Sequence, residues 1–155
     1  MQNVTPSGLY IIRDQYFLDF PNDQYMDKTD DRPHFYALRD RDRILWMIPL
    51  SSRVEKYRSK IDEIERDNGT GSCFLYYIAK INGKERAILI RDMFPVTEEY
   101  ILRPYTINEI PYIMKNKKDI EAIRKKTARY LSMVKRGKWK SQLNILETHQ
   151  KLIGR

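Results

Sequence analysis

Trp46-Met47-Ile48-Pro49-Leu50-Ser51-Ser52-Arg53-Val54-Glu55-Lys56-Tyr57 passes from an apolar strand, through a proline, into a helix. Trp46, Met47 and Ile48 are bulky enough to be buried in a sheet, and Pro49, with no amide hydrogen to give a ladder, marks the strand's end. Beyond it Val54, Tyr57, Ile61 and Ile64 recur at helical spacing and set one apolar face, which leaves Arg53, Lys56 and Lys60 together on another. Backbone amides, hydroxyls and cations are gathered at the junction. Ser52 with Glu55 three residues on reads as a capping box, in which the serine oxygen accepts from the N3 amide and the glutamate returns to the N-cap amide. Capping accounts for Ser52 but not for Ser51 or the cations. The first turn of a helix favours acids, and Arg53 and Lys56 there oppose the macrodipole at ~0.3–1 kcal/mol each. A phosphate against the free amides would reverse that penalty.

On the N-terminal side, Leu9–Ile12 predicts a first strand, with the apolar content continuing through Tyr16-Phe17-Leu18. Asn22 to Asp31 predicts a loop. Its Asp23, Asp27, Asp30 and Asp31 fit no EF-hand, having neither the turn glycine nor the terminal glutamate. His34–Leu38 and Ile44–Ile48 then flank the charged connection Arg39–Arg43 as a hairpin. On the C-terminal side, the helix ends at the glycines Gly69 and Gly71. Cys73–Ile81 and Lys84–Ile90 around Asn82-Gly83 form a second hairpin, the dipeptide suiting the positive φ angles of a type I′ turn. Met93–Val96 reads as a short edge segment, and Pro95, Pro104 and Pro111 punctuate the passage to helix. From Lys115 the pattern is helical: Ile120, Ile123, Thr127, Tyr130, Leu131 and Val134 form an apolar stripe, continued weakly past Gly137 by Leu143, Leu146 and Ile153. Strands with one early helix, then helices, predict an α+β fold whose antiparallel sheet is strongly curved and closes as a small barrel.

The 155 residues are one domain's worth, and 41% hydrophobic residues suffice for a core. No run approaches the ~18 apolar residues of a membrane helix, and the N-terminus lacks the charged and apolar regions of a secretory signal, so a cytoplasmic protein is expected. The single cysteine, Cys73, sits beside Phe74 and Leu75 and reads as a buried structural thiol. Net charge is +8, yet Lys115 to Lys140 alone holds eleven Lys or Arg against two acids, +9, so the rest sums to −1. Positive charge confined to one part of a domain is the footprint of a polyanion, most often nucleic acid, although a lysine-rich solvated helix has the same composition.

Several chemistries lack their residues. One cysteine and two distant histidines, His34 and His149, make no zinc site, and a paired-histidine ribonuclease needs the fold to bring those two together. Glycine-rich dinucleotide and nucleotide loops and the nucleophile elbow are absent. Tyrosines, serines and cations remain. Such a set can cleave RNA without a cofactor, because the ribose 2′-hydroxyl is an internal nucleophile and the protein need only orient it and neutralise charge growing on phosphorus. The products would be a 2′,3′-cyclic phosphate and a 5′-hydroxyl.

The chain resembles the endoribonuclease toxins of type III toxin–antitoxin systems, the ToxN, AbiQ and CptN group, and within it the CptN branch. The resemblance lies in Leu9-Tyr10-Ile11 followed by Tyr16, Arg32-Pro33-His34-Phe35, Ile48-Pro49-Leu50-Ser51-Ser52, Ile88 to Val96, and the late Gly137-Lys138 with Asn144 and Leu146-Glu147. It implies a sheet related to the MazF and Kid toxins with added helices, and a metal-independent, sequence-specific RNase. Such a toxin is held inactive by a repeated pseudoknot RNA, which it cuts from its own precursor and binds in a closed toxin–RNA assembly. Cellular mRNA is the implied substrate and phage defence by abortive infection the implied setting. By motif position Ser51 and Ser52 match the family's hydroxyl pair and Tyr16 its active-site tyrosine. The family's catalytic lysine has no exact counterpart, since Arg53 and Val54 follow the pair here; Lys56 is the nearest lysine, with Arg53 the alternative. His34 falls where members carry a basic residue facing RNA. The remaining RNA contacts expected are Arg32, Tyr57 and Lys60 around the junction, and Lys115, Lys117, Lys118, Lys125, Lys126, Arg129, Lys135, Arg136 and Lys138 in the basic segment. Two other readings use the same residues: a non-catalytic RNA-binding module, for which the basic helices suffice, and a MazF-like toxin with a protein antitoxin.

Overall fold

The computed structural model describes residues 4–22 and 32–154. The aspartate-rich loop expected over 22–31 lies, apart from Asn22, outside the described residues. The elements are β1 (Leu9–Ile12), α1 (Asp14–Asp19), β2 (Pro33–Arg39), β3 (Leu45–Ser51), α2 (Val54–Asn68), β4 (Tyr77–Ile81), β5 (Lys84–Ile88), β6 (Phe94–Val96), β7 (Ile101–Pro104), β8 (Thr106–Ile107), β9 (Ile110–Pro111), α3 (Lys117–Lys135) and α4 (Ile145–Ile153). The fold is α+β, as the sequence predicts.

Period-two alternation splits the apolar residues between two faces of one antiparallel sheet. Leu9, Phe35, Trp46, Ile48 and Leu50 join Ile88, Ile123 and Tyr130 in one cluster, against which Tyr57, Ile61 and Ile64 of α2 also pack. Tyr10, Ile12, Tyr36, Leu45 and Met47 join Tyr16, Phe94, Tyr100 and Leu152 in the other. All seven residues of β3 are buried. Each large apolar side chain so enclosed stabilises the fold by about 1.5–3 kcal/mol.

The sheet runs β4-β5-β3-β2-β1-β7, with β6 also on β3, and among the described residues nothing joins β4 to β7. It is open, so the strongly curved, barrel-closed sheet expected from the sequence is corrected. The reason is in the two clusters: α2 and α3 cover one face and α1 the other, and α4 reaches both through Ile145 and Leu152, so the sheet need not curl round to bury its apolar sides. No helix among the described residues is long and apolar enough to cross a membrane.

Candidate functional site

β3 does not stop at Pro49. It continues to Ser51, because Pro49 falls where β3 changes partner, from β6 at Leu45–Met47 to β5 at Leu50–Ser51. The Pro49 carbonyl accepts from the Leu89 amide at 3.0 Å in that gap, and the missing amide hydrogen breaks no ladder bond there. Ser51 is 5% exposed, and its Oγ accepts from the Arg53 amide at 3.1 Å. α2 begins only at Val54, with Arg53 at the N-cap and no side chain capping it. The capping box expected from Ser52 and Glu55 is therefore not formed. Glu55 turns to Arg58, 3.3 Å away, and Ser52 is left exposed.

Cations close round this turn. Arg32 Nη2 donates to the Leu50 carbonyl at 3.0 Å and pins the residue before Ser51. Tyr57 packs against Tyr76 with ring centroids 5.1 Å apart. Burial, then the nearby Asp92 and Tyr76, raise the Tyr57 hydroxyl pKa, while Arg53 and Arg32 pull it down, so both guanidiniums lie within electrostatic reach of that hydroxyl. Lys56 is exposed, its ammonium 5.4 Å from the Tyr57 ring centroid, and Lys60 lies one turn further along, half-buried. Arg32, Ser51, Ser52, Arg53, Lys56 and Tyr57 are thus brought together.

The serines open into a cleft of about 350 Å³ between the end of β3, the β4–β5 hairpin and the β8–β9 hairpin. Its other polar walls are Lys84, Arg86, Asn82, Tyr105 and Thr106, and no acidic side chain lines it. Ser51 pairs with Ala87, which sets Arg86 one step along β5 at the level of Ser52. Arg53, Lys56 and Lys60 are not among the lining residues. Sequence reasoning passed over Lys84 and Arg86. Their two-residue spacing after Asn82-Gly83 does place both on one face of a hairpin strand, but only the pairing of β5 with β3 carries that face to the serines.

Two expected site residues lie elsewhere, and the two histidines stay apart. Tyr16 is fully buried in the aromatic cluster of Phe17, Phe20, Phe94 and Tyr100, its hydroxyl donating to the Pro95 carbonyl at 2.7 Å. Pro95 pairs with Trp46, five residues along β3 from Ser51 and so roughly 16 Å away. Tyr16 is a core residue, since α1 turns its one buried side chain into the sheet. His34 is 6% exposed, with its edge to Phe94 at 5.2 Å, and offers RNA no surface. Burial, reinforced by Arg32, lowers its pKa from 6.5 to about 4. His34 faces Pro49, whereas His149 bonds Asp40 at 2.7 Å at the opposite end of the β2–β3 hairpin, so a paired-histidine mechanism is excluded. Asp40, Asp42 and His149 could approach one cation, but the Asp40 oxygens already accept from Trp46 Nε1 and from the amides of Asp42 and Ile44, and its role is to lock the turn to α4.

The basic segment divides. Lys115, Lys117, Lys118, Lys125, Lys135, Arg136 and Lys138 are exposed, Lys125 within 3.9 Å of Glu121. Lys126 Nζ instead donates to the Cys73 carbonyl, and the Arg129 guanidinium lies 4.9 Å over the Phe74 ring, so these two hold α3 to the chain before β4. Cys73 is buried and unpaired, as expected.

No protein-family model matches the sequence, and no curated protein matches it. Among solved structures, AbiQ, a lactococcal anti-phage endoribonuclease belonging to the type-III toxin–antitoxin system, is similar to it with a TM-score of 0.58. The match covers 83% of this chain and 82% of that one at 12% sequence identity. At that identity the likeness is one of fold: this chain has the α+β architecture of AbiQ.

Proposed function

We propose that the chain is a metal-independent endoribonuclease, the toxin of a type III toxin–antitoxin system. The observation that carries this reading is the cleft at the β3–α2 junction, where two serine hydroxyls meet two cations and no carboxylate, in a chain with the fold of an endoribonuclease. A phosphodiester seated there accepts hydrogen bonds from Ser52 and the amides of the turn, with Ser51 fixing the turn from beneath. Arg86 and Lys84 neutralise the charge that builds on the phosphoryl oxygens, and Arg53 and Lys56 add to the field from the helix side. The ribose 2′-hydroxyl attacks the phosphorus, the 5′-oxygen leaves, and a 2′,3′-cyclic phosphate remains.

The antitoxin is a repeated pseudoknot RNA held against the exposed basic face of α3 in a closed toxin–RNA assembly in the cytoplasm, with cellular mRNA as substrate. Placement beside the CptN branch rests on the motif residues alone. Purified protein incubated with RNA in excess EDTA should yield cyclic-phosphate ends, and Ser52→Ala should suppress them while leaving the circular dichroism unchanged. Loss of all cleavage on chelation, or intact RNA after prolonged incubation, would reject the proposal.

A further inference from the structure

α3 gives way at Arg136 to a turn that sets the direction of the chain beyond the helix. The Lys138 amide donates to the Met133 carbonyl at 2.8 Å and the Gly137 amide to Val134 at 3.1 Å, with Gly137 at φ +70°, which is the Schellman arrangement. That turn carries Lys138 and Trp139 across the end of α2. Between them and α2 lies a groove of about 650 Å³, floored by Ile64, Leu75 and Met133. The volume is in the range of small-molecule sites.

The walls are aromatic and cationic. Phe74 and Trp139 meet edge to face with centroids 5.8 Å apart. Arg129 covers the Phe74 face at 4.9 Å and reaches the Ser72 carbonyl with Nη1 at 3.5 Å, which leaves the partly buried Trp139 as the wall's other aromatic surface. Ser72 Oγ, at the same wall, is buried without a hydrogen-bond partner. No acid lines the groove. An apolar peptide would leave the exposed Lys138 ammonium without an anion. A nucleotide matches both kinds of wall, because its base has a π-face for Trp139 and its phosphate suits Lys138 and Arg129.

We infer that this groove binds an unpaired nucleotide of a single-stranded RNA segment, its base stacked on Trp139 and its phosphate between Lys138 and Arg129. The inference rests on the RNA-directed reading above, but the groove is separate from the Ser51–Ser52 cleft and shares none of its lining residues. The RNA held there is thereby anchored at a second point.

The chain has two tryptophans, and Trp46 is 1% exposed, so emission changes report Trp139. Full-length protein titrated with a 2′-O-methyl adenosine hexanucleotide, which cannot be cut, should show saturable quenching of that emission. Lys138→Glu keeps the fluorophore and should weaken binding about tenfold. Trp139→Leu should weaken binding of the labelled oligonucleotide, followed by anisotropy, by a similar factor. Ser52→Ala should leave the quenching intact, so a chain that binds without cutting loses only the nuclease reading, and one that cuts without quenching loses only the groove. Oligonucleotide binding that leaves Trp139 emission and both variants unaffected overturns the inference. So does an emission response to an apolar peptide with none to the oligonucleotide.

Discussion

His34 lies on β2 opposite Pro49, enclosed with Phe94, and its burial makes the imidazole a sensor of acid rather than of RNA. Its folded pKa is about 4 against 6.5 in the unfolded chain, so between those values the unfolded state takes up the proton first. Its contribution is present in full above pH 6.5 and is lost as the pH falls to 4, by about 3 kcal/mol in all. Two carboxyls act nearby in pH. Burial of Asp40 is outweighed by its hydrogen bonds from Trp46, His149 and Ile44, so its pKa is lowered and its stabilisation is lost only below 3.8. Burial raises the pKa of Asp92, which works in the opposite sense just above 3.8. The difference between wild type and His34→Phe isolates the histidine: the wild-type urea midpoint should fall relative to the variant's between pH 7 and 4.5, and parallel curves would remove His34 as the cause. The same scale decides which cation serves the phosphate. Arg86→Ala should lower the rate of RNA cleavage by about 10²–10³, the loss seen when a preorganised donor to a transition-state oxyanion is removed. Lys56→Ala should cost only a few-fold, and the reverse order would move the chemistry to the helix face.

At the scale of elements, legibility followed how local the cause was. The β4–β5 hairpin is written in Asn82-Gly83, whose φ angles are +52° and +79°, and the α3 stripe in Ile123, Thr127, Tyr130, Leu131 and Val134, all buried. α4 was less legible: Leu143 is buried as expected, but Leu146 and Ile153 are 38% and 42% exposed, while Leu152 faces the core. The six residues of α1 and the β8–β9 hairpin escaped because neither is long enough for a period to show. The cleft escaped because it needs three segments, the end of β3, the β4–β5 hairpin and the chain after β7, brought together by pairing across the chain. The Schellman turn after α3 is local and makes a local test. Gly137→Ala should cost about 1 kcal/mol, because a Cβ there is strained at positive φ though no atom stands in its way. It should also shift Trp139 emission; a thermal midpoint and a spectrum equal to wild type would mean that the turn does not hold the tryptophan.

Over the whole molecule, charge and architecture separate two tasks. Outside Lys115–Lys140 the chain sums to a net charge of −1, and its strands and α2 build the cleft, whereas the +9 between Lys115 and Lys140 lies mostly on one helix packed by its apolar stripe against the sheet. The sequence showed this segregation but not which cations are free. Lys126 tethers α3 to the Cys73 carbonyl and Arg129 stacks on Phe74, whereas Lys117 and Lys118 project from the first turn with no partner but solvent among the described residues. Counterion release turns that difference into a measurement, since each phosphate neutralised on a single strand adds about 0.7 to the slope of log affinity against log salt. Lys117→Ala with Lys118→Ala should therefore lower the slope for RNA binding by about 1.4 and leave thermal stability unchanged, each lysine answering one phosphate. Lys126→Ala should do the converse, lowering the unfolding temperature while hardly changing the slope. If the first-turn pair leaves the slope intact, the RNA does not run along the start of α3, and the polyanion must enter from the Lys135–Lys138 end.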